Sequence, residues 1–489
     1  MTSTDKPPSV TRATFWTIAD FVADRGVGFV IVAVLARLVS PAEFGTVALL
    51  AVFIAVATVM AESGLGLALI QKPQINDSDI SSAFWMNIAL ALIMTAILWG
   101  CGPLIADFFG RPVLVPLIQI LALSIPIGAL GTVQRALLLR DLAYKKLLVV
   151  RVVPTLIAGV TAIGLALAGF GVFALAAQTV VAAMLGSAVL WFVSPWRPQR
   201  RFDRSAARGL LRFGGYMLAS TILDTIYSRA YTVFIGKMSS AATVGHYGRA
   251  DATIALLQGF VSYPLNQMAF PMLSRMAGDS EAMGRALRQG LKASMLVNAP
   301  AMLMVPVVAA PLTLLAYGPQ WGGAVPFIQI LALVGVLMPV HILNLRALMA
   351  KGNSNIFFWL EVAKKLVGMT ALFIGAQWGA IGLAWGAVVA GVIAAIINAS
   401  LSRRMFGYGI MSQARDLVMS IALGLVMAGV AYGAMAVTKK VAPEALAQLL
   451  IGSVAGSGIW LVAVLVFNPS GFRDLAIQAL RHLGAMRRK

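Results

Sequence analysis

Apolar runs of helical length, each closed by a short polar connection, follow one another along almost the entire chain. About 20 mainly apolar residues suffice to cross a bilayer as a helix. Fourteen segments meet that length, the first from Phe15 to Leu38 and the last from Leu446 to Phe467. The pattern predicts an all-α integral membrane protein with about 14 transmembrane helices.

Two of the runs share a sequence. VPLIQILAL (Val115 to Leu123) returns 210 residues later as VPFIQILAL (Val325 to Leu333), with Phe327 in place of Leu117. Leu35 to Ser40 likewise aligns with Ile235 to Ser240 at an offset of 200, which brings Arg37 onto Lys237 and Gly45 onto Gly245. Six spans precede a basic segment and six matching spans follow it. Because six is even, the halves keep one orientation and are expected to be parallel repeats. The expected organisation is a cytoplasmic N-terminal segment (1–14), a six-helix bundle (15–193), a basic cytoplasmic linker (194–212), a second six-helix bundle (213–402), two appended C-terminal helices (403–467) and a basic cytoplasmic tail (468–489).

Composition agrees with a membrane class. Hydrophobic residues make up 60% of the chain and charged residues 11%, against about 25% charged in soluble domains; mean hydropathy is +0.88. The net charge of +20 would suggest nucleic acid in a soluble protein. Here basic connections are what keeps loops in the cytoplasm, and no nucleic-acid partner is expected. Arg140, Lys145, Lys146 and Arg151 form one basic connection, Arg197 to Arg212 another, and the tail ends in Arg487, Arg488 and Lys489, while the intervening connections are poor in charge. Lys439 and Lys440 depart from the alternation. Both termini are therefore expected in the cytoplasm. The lone Cys101 excludes an intramolecular disulfide, and His246, His341 and His482 have no metal-binding spacing. No metal or cofactor is expected. A proton or a sodium ion remains the candidate coupling ion.

LARLVSPAEFG (Leu35 to Gly45), Glu62-Ser63-Gly64 with Ala68 to Gln71, Leu139-Arg140-Asp141-Leu142, IGKMSSAATVGHYGRA (Ile235 to Ala250) and YGPQW (Tyr317 to Trp321) resemble the bacterial polysaccharide-transporter branch of the multidrug/oligosaccharidyl-lipid/polysaccharide (MOP) exporter superfamily. The likeness covers most of the chain and is carried by the order and spacing of these segments. It implies a MATE/MOP-like fold and a Wzx-type flippase. Such a protein moves undecaprenyl-pyrophosphate-linked oligosaccharide repeat units across the inner membrane, for O-antigen, lipopolysaccharide or exopolysaccharide synthesis. Its partners would be that lipid-linked substrate, membrane lipid, and the polysaccharide polymerase and glycosyltransferases of the pathway. The more distant peptidoglycan-precursor flippases suggest that the two appended helices form a groove for the lipid tail.

Ionisable groups at membrane depth cost about 2.5 to 3.5 kcal/mol or more each, so they face a cavity or a partner. Asp20 and Asp24 lie one turn apart with Arg25 beside them; they read either as a cationic pyrophosphate site tuned by acid or as a cluster pairing near the membrane surface. In the repeat-related seventh span, Thr221, Asp224, Thr225, Ser228 and Thr232 share one side with Arg229 adjacent, a pattern unsuited to lipid. Arg135 and Arg249 could extend a basic lining or snorkel to the nearby interface, and Glu62 is open in the same way. Glu361 precedes Lys364 and Lys365 by three and four residues, the spacing of a helical ion pair with one positive charge to spare. Alternatives are a multidrug exporter of the same superfamily, for which acidic walls would argue, and a glycan polymerase or ligase, which would need a long external loop bearing catalytic groups. Every expected external connection is short.

Overall fold

The computed structural model describes residues 25–62, 64–72, 75–141, 143–200, 202–352, 354–442 and 444–467. Among them there is no strand. The helices are α1 (25–38), α2 (Pro41–Glu62), α3 (Leu65–Gln71), α4 (Asp77–Phe109), α5 (Leu114–Ala122), α6 (Ser124–Arg140), α7 (Tyr144–Leu167), α8 (Val172–Val193) and α9 (Arg204–Met238). They continue as α10 (Ala241–Ser274), α11 (Ser280–Tyr317), a 3-10 turn (Pro319–Ala324), α12 (Val325–Val336), α13 (Met338–Ala350), α14 (Ser354–Ala376), α15 (Gly379–Phe406), α16 (Ile410–Val441) and α17 (Ala445–Phe467).

Ten segments among the described residues are long and apolar enough to cross a membrane, α5–α6 and the 3-10 turn with α12–α13 each counting as one. The remaining long helices α9, α10 and α14 carry charged or amide side chains such as Asp224, Arg229, Gln258 and Lys364, and α1 is described only from Arg25. Large apolar side chains lie on the outside, among them Leu104, Val160, Phe192, Trp359 and Val454. Water penalises such a surface and lipid does not.

By its internal contacts the chain divides into two compact units, whose described parts are 25–248 and 249–467. In the first, α2 packs against α4, α5, α6, α8 and α9, while α7 and α8 form a hairpin. Leu35, Leu49, Leu50, Leu114, Leu117 and Ile118 fill its core. In the second, α11 is the hub, touching α12, α13, α15, α16 and α17. The C-terminal pair α16–α17 is thus fastened along α11, with Trp460 Nε1 donating to the Leu296 carbonyl at 3.2 Å. The segment read as a linker is ordered differently along its length. Residues up to Asp203 are stitched to α4 by Gln199 N–H to Ser81 Oγ (3.2 Å), Asp203 N–H to Ser82 Oγ (2.8 Å) and Trp85 Nε1 to the Gln199 carbonyl (2.8 Å). From Arg204 the chain is already helical, because a polar first stretch of a helix breaks hydropathy without breaking helical hydrogen bonding.

The two copies of the sequence repeat adopt the same local structure. α1 ends at 38 and α9 at Met238; α2 starts at Pro41 and α10 at Ala241. Ser40 Oγ accepts from Glu43 N–H (3.3 Å), and Ser240 Oγ accepts from Thr243 N–H (3.2 Å), so each serine caps its helix. Gly45 and Gly245 then meet. A Cβ on Gly45 would lie 1.8 Å from the Ala241 carbonyl oxygen, and one on Gly245 would lie 2.0 Å from that of Pro41. Each copy of VPxIQILAL also belongs to a broken span, interrupted after Ala122 in one and after Val336 in the other. Pro126 and Pro339 sit in the first turn of the second segment, where the missing N–H is not needed.

Candidate functional site

At the end of α2, Gly64 adopts the left-handed conformation (φ 66°) and turns the chain into the short α3. One helix-end carbonyl group after another is satisfied by a single guanidinium: Arg140 Nη1 donates to the carbonyls of Leu69 and Lys72, both at 2.6 Å. Lys72 in turn pairs with Asp79 at 2.7 Å, a carboxylate only 5% exposed that also accepts from the Asn76 N–H. These contacts hold α3 against α4 and α6. Above them lies a cavity of about 290 Å³ with Thr58, Glu62, Asn87, Ser124, Thr132 and Arg135 in its wall. Glu62 and Arg135 are both exposed, and the Arg135 charge attracts the Glu62 carboxylate. One acidic and one basic group thus share an otherwise uncharged wall.

The second unit holds several polar groupings among its described residues. Lys364 and Lys365 both face Glu361, Lys364 in a close ion pair and Lys365 at 3.9 Å, and the two lysine side chains are 12% and 16% exposed. Beside them the Asn398 amide lies 3.1 Å from His341 Nδ1. Arg346 donates through Nε (3.3 Å) and Nη2 (3.0 Å) to Asn266 Oδ1. Arg249 is enclosed by aromatic faces, its guanidinium 5.6 Å from the Tyr317 ring and 5.8 Å from that of Trp321. Tyr317 and Trp321 are themselves fully buried, and the Tyr317 hydroxyl meets Thr253 Oγ1 at 2.7 Å. YGPQW is thereby explained as the turn that folds two rings over one cation. Toward the N-terminus of α16, Asp416 accepts from Arg288 (2.6 and 2.9 Å), pairs with Lys292 (3.0 Å) and accepts from Tyr408 (2.9 Å).

The candidates read from sequence are therefore distributed. Asp20 and Asp24 lie outside the described residues. Arg25, Asp224 and Arg229 are exposed on α1 and α9. Arg135 lines the cavity, Arg249 is held in its aromatic box, and Lys364 and Lys365 share Glu361. Sequence reasoning passed over Asn87, Arg346 and the His341–Asn398 contact. Arg346 did leave a trace: Arg135-Ala136-Leu137 recurs as Arg346-Ala347-Leu348, 211 residues on. Asn87 left only its isolation as an amide in an apolar run. An apolar cavity of about 790 Å³ also lies between α14 and α15, walled by Leu366, Ile374, Trp378, Trp385 and Val389.

A family model described as polysaccharide biosynthesis protein matches residues 34–326. The chain belongs to that family. Curated relatives align along most of it: it is 28% identical over 483 residues to the succinoglycan biosynthesis transport protein ExoT of Rhizobium meliloti (strain 1021), covering 97% of this chain and 96% of the relative. It is 26% identical to the lipopolysaccharide biosynthesis protein WzxC of Escherichia coli (strain K12), covering 78% of each. The teichuronic acid biosynthesis protein TuaB of Bacillus subtilis (strain 168) is 24% identical over 84% of this chain and 86% of its own. Among solved structures, the lipid II flippase MurJ in an inward closed conformation superposes with a TM-score of 0.74 at 17% identity, covering 96% of this chain and 99% of that one. An inward-facing multidrug resistance MATE transporter of the MOP superfamily gives 0.63 at 14% identity, covering 81% and 98%. This polysaccharide biosynthesis protein therefore has the all-α, multi-pass membrane fold of the MATE/MOP transporters.

Proposed function

We propose that the protein is a flippase carrying undecaprenyl-pyrophosphate-linked oligosaccharide repeat units from the cytoplasmic to the periplasmic leaflet of the bacterial inner membrane. One observation carries the reading. In a chain that is 60% hydrophobic, charged and amide groups recur along α9, α10 and α14, at Arg25 on α1 and around the cavity of Glu62, Asn87 and Arg135. A polar headgroup crossing a bilayer needs such a path, and a lipid-facing helix excludes it. The names of these relatives support a glycan cargo, since they refer to succinoglycan, lipopolysaccharide and teichuronic acid biosynthesis.

In this reading α1, α9, α10 and α14 join the ten apolar segments to make fourteen spans, arranged as two parallel six-helix repeats with α16 and α17 appended and both termini in the cytoplasm. The repeats alternate access to the two leaflets, as duplicated bundles do. Arg25 and Arg229, on the repeat-related α1 and α9, hold the pyrophosphate by charge-assisted hydrogen bonds, Arg135 and Arg346 occupy a second repeat-related pair of positions, and the polyprenyl chain stays in lipid. The reaction makes and breaks no covalent bond, and the protein acts as a transporter rather than an enzyme. Glycosyltransferases that build the repeat unit and a polymerase that consumes it are its functional partners.

Replacing Arg25 or Arg229 by Ala is expected to abolish glycan export while protein levels in the membrane stay unchanged. Wild-type export from both variants would remove the cationic site. The fold likeness to a multidrug transporter keeps drug export as the second reading; it predicts that deleting the gene sensitises cells to cationic drugs and leaves surface glycan intact.

A further inference from the structure

The cavity in the first unit is lined by a side chain that its own protein leaves unsatisfied. Asn87 is 1% exposed, and neither its amide nitrogen nor its carbonyl oxygen finds a hydrogen-bond partner among the described residues. Burying a donor and an acceptor without partners forfeits the hydration of both, and a leucine on this helix would avoid that loss. The amide is thus poised for something that accepts and donates at one point, which a hydroxyl group does and a lone cation or phosphate does not.

The rest of the wall selects in the same direction. Thr58 and Ser124 commit their hydroxyl hydrogens to backbone carbonyls, Ile54 at 2.7 Å and Leu121 at 2.6 Å, so both hydroxyls are left with acceptor capacity only. Glu62 adds acceptors and Arg135 adds donors. Arg135 opposes a bare cation and Glu62 opposes an anion, which leaves a neutral ligand as the best match. Val59, Ile125, Ala129 and Leu218 complete the wall and suit the C–H faces of a ring. The volume of about 290 Å³ is at the small end of ligand pockets, which run from about 300 Å³, and fits one ring rather than a chain of them.

We infer that this cavity seats one uncharged sugar ring of the transported glycan, with Asn87 donating to and accepting from a ring hydroxyl. The inference rests on the transport reading above and adds to it a glycan-recognising position apart from the arginines assigned to phosphate.

The test uses the full-length protein in lipid nanodiscs with methyl glycosides of glucose, galactose, mannose and N-acetylglucosamine as probes, read by thermal stabilisation at a series of concentrations. At least one glycoside is expected to stabilise the wild type. Asn87→Leu should keep its own thermal stability, because it replaces an unsatisfied amide by an apolar side chain, yet bind that glycoside about tenfold more weakly, a change of about 1.4 kcal/mol. Asn87→Asp, which cannot donate from that atom, should also bind more weakly. Equal stabilisation of wild type and Asn87→Leu by every glycoside would overturn the proposal. Stabilisation by sodium ion alone that Glu62→Gln removes would overturn it too, and would assign the cavity to a cation. Export separates the two levels of inference. If gene deletion leaves glycan export intact, the transport reading fails; if deletion abolishes export while Asn87→Leu exports normally and binds glycosides as wild type does, the sugar position alone fails.

Discussion

Where Gly45 and Gly245 meet, a single methyl group should measure how closely the repeat-related helices are packed. Alanine at either position would set a carbon 1.8 or 2.0 Å from a backbone carbonyl oxygen, of Ala241 in one case and Pro41 in the other. Carbon and carbonyl oxygen normally approach no closer than about 3.3 Å, so the backbones must part by more than about 1 Å. Overpacking of this kind costs about 1–3 kcal/mol, and the opposing atoms belong to backbone that cannot rotate aside. Exchanging Gly for Ala within a helix recovers about 0.5–1 kcal/mol, leaving a net loss of about 0–2.5 kcal/mol for each variant, and a deficit of about 1–3 kcal/mol against an unhindered Gly-to-Ala exchange. The two losses should be similar because the contacts are reciprocal. They should also add to less than their sum in the double variant, since once one methyl has separated the helices the second finds room. Gly100→Ala, whose Cβ would meet nothing within 4 Å, serves as the control and should be neutral or slightly stabilising. Thermal unfolding of the purified proteins in one detergent reads all four. Gly45→Ala and Gly245→Ala as stable as Gly100→Ala, or losses that add fully, would refute the close crossing.

Three further expectations concern the remaining polar contacts. Asp416→Ala leaves the Arg288, Lys292 and Tyr408 donors without their shared acceptor and should cost about 1–3 kcal/mol by thermal unfolding, at the lower end because both cations are partly exposed and screened; an unchanged unfolding temperature would contradict it. The Asp279 carboxylate caps α11 by accepting from the N–H groups of Ala282 (2.9 Å) and Glu281 (3.0 Å), and the Ala282 hydrogen bond chiefly holds its pKa below the ordinary carboxylate value. A depressed folded-state pKa gives stability that is present above the unfolded value of about 4 and lost as pH falls through the folded one. Asp279→Ala should therefore be less stable than wild type near neutral pH, with the difference fading in acid, and a pH-independent difference would exclude this cap. A double-mutant cycle of Arg249→Met and Trp321→Leu should return a coupling of about 0.5–2 kcal/mol, whereas zero coupling would dissolve the aromatic box.

The reach of sequence reasoning follows from what hydropathy records. Transfer of a segment from water to lipid is a sum over its own residues, so membrane residence, the ten apolar segments and the repeat of VPxIQILAL are written locally. The same holds for Ser40 and Ser240, whose capping partners lie three residues away. Rotation of a helix about its axis is not written there, because lipid tails are as apolar as a protein interior and both faces of a span can be greasy. Only packing of α2, α4 and α6 could bring Glu62, Asn87 and Arg135 to one cavity, and only the turn after α11 could close Tyr317 and Trp321 over Arg249. The chain by itself determined the solvent and the duplication, each a sum over neighbours in sequence; which polar groups share a space was decided by tertiary contacts between residues far apart in the chain, 128 positions for Arg288 and Asp416.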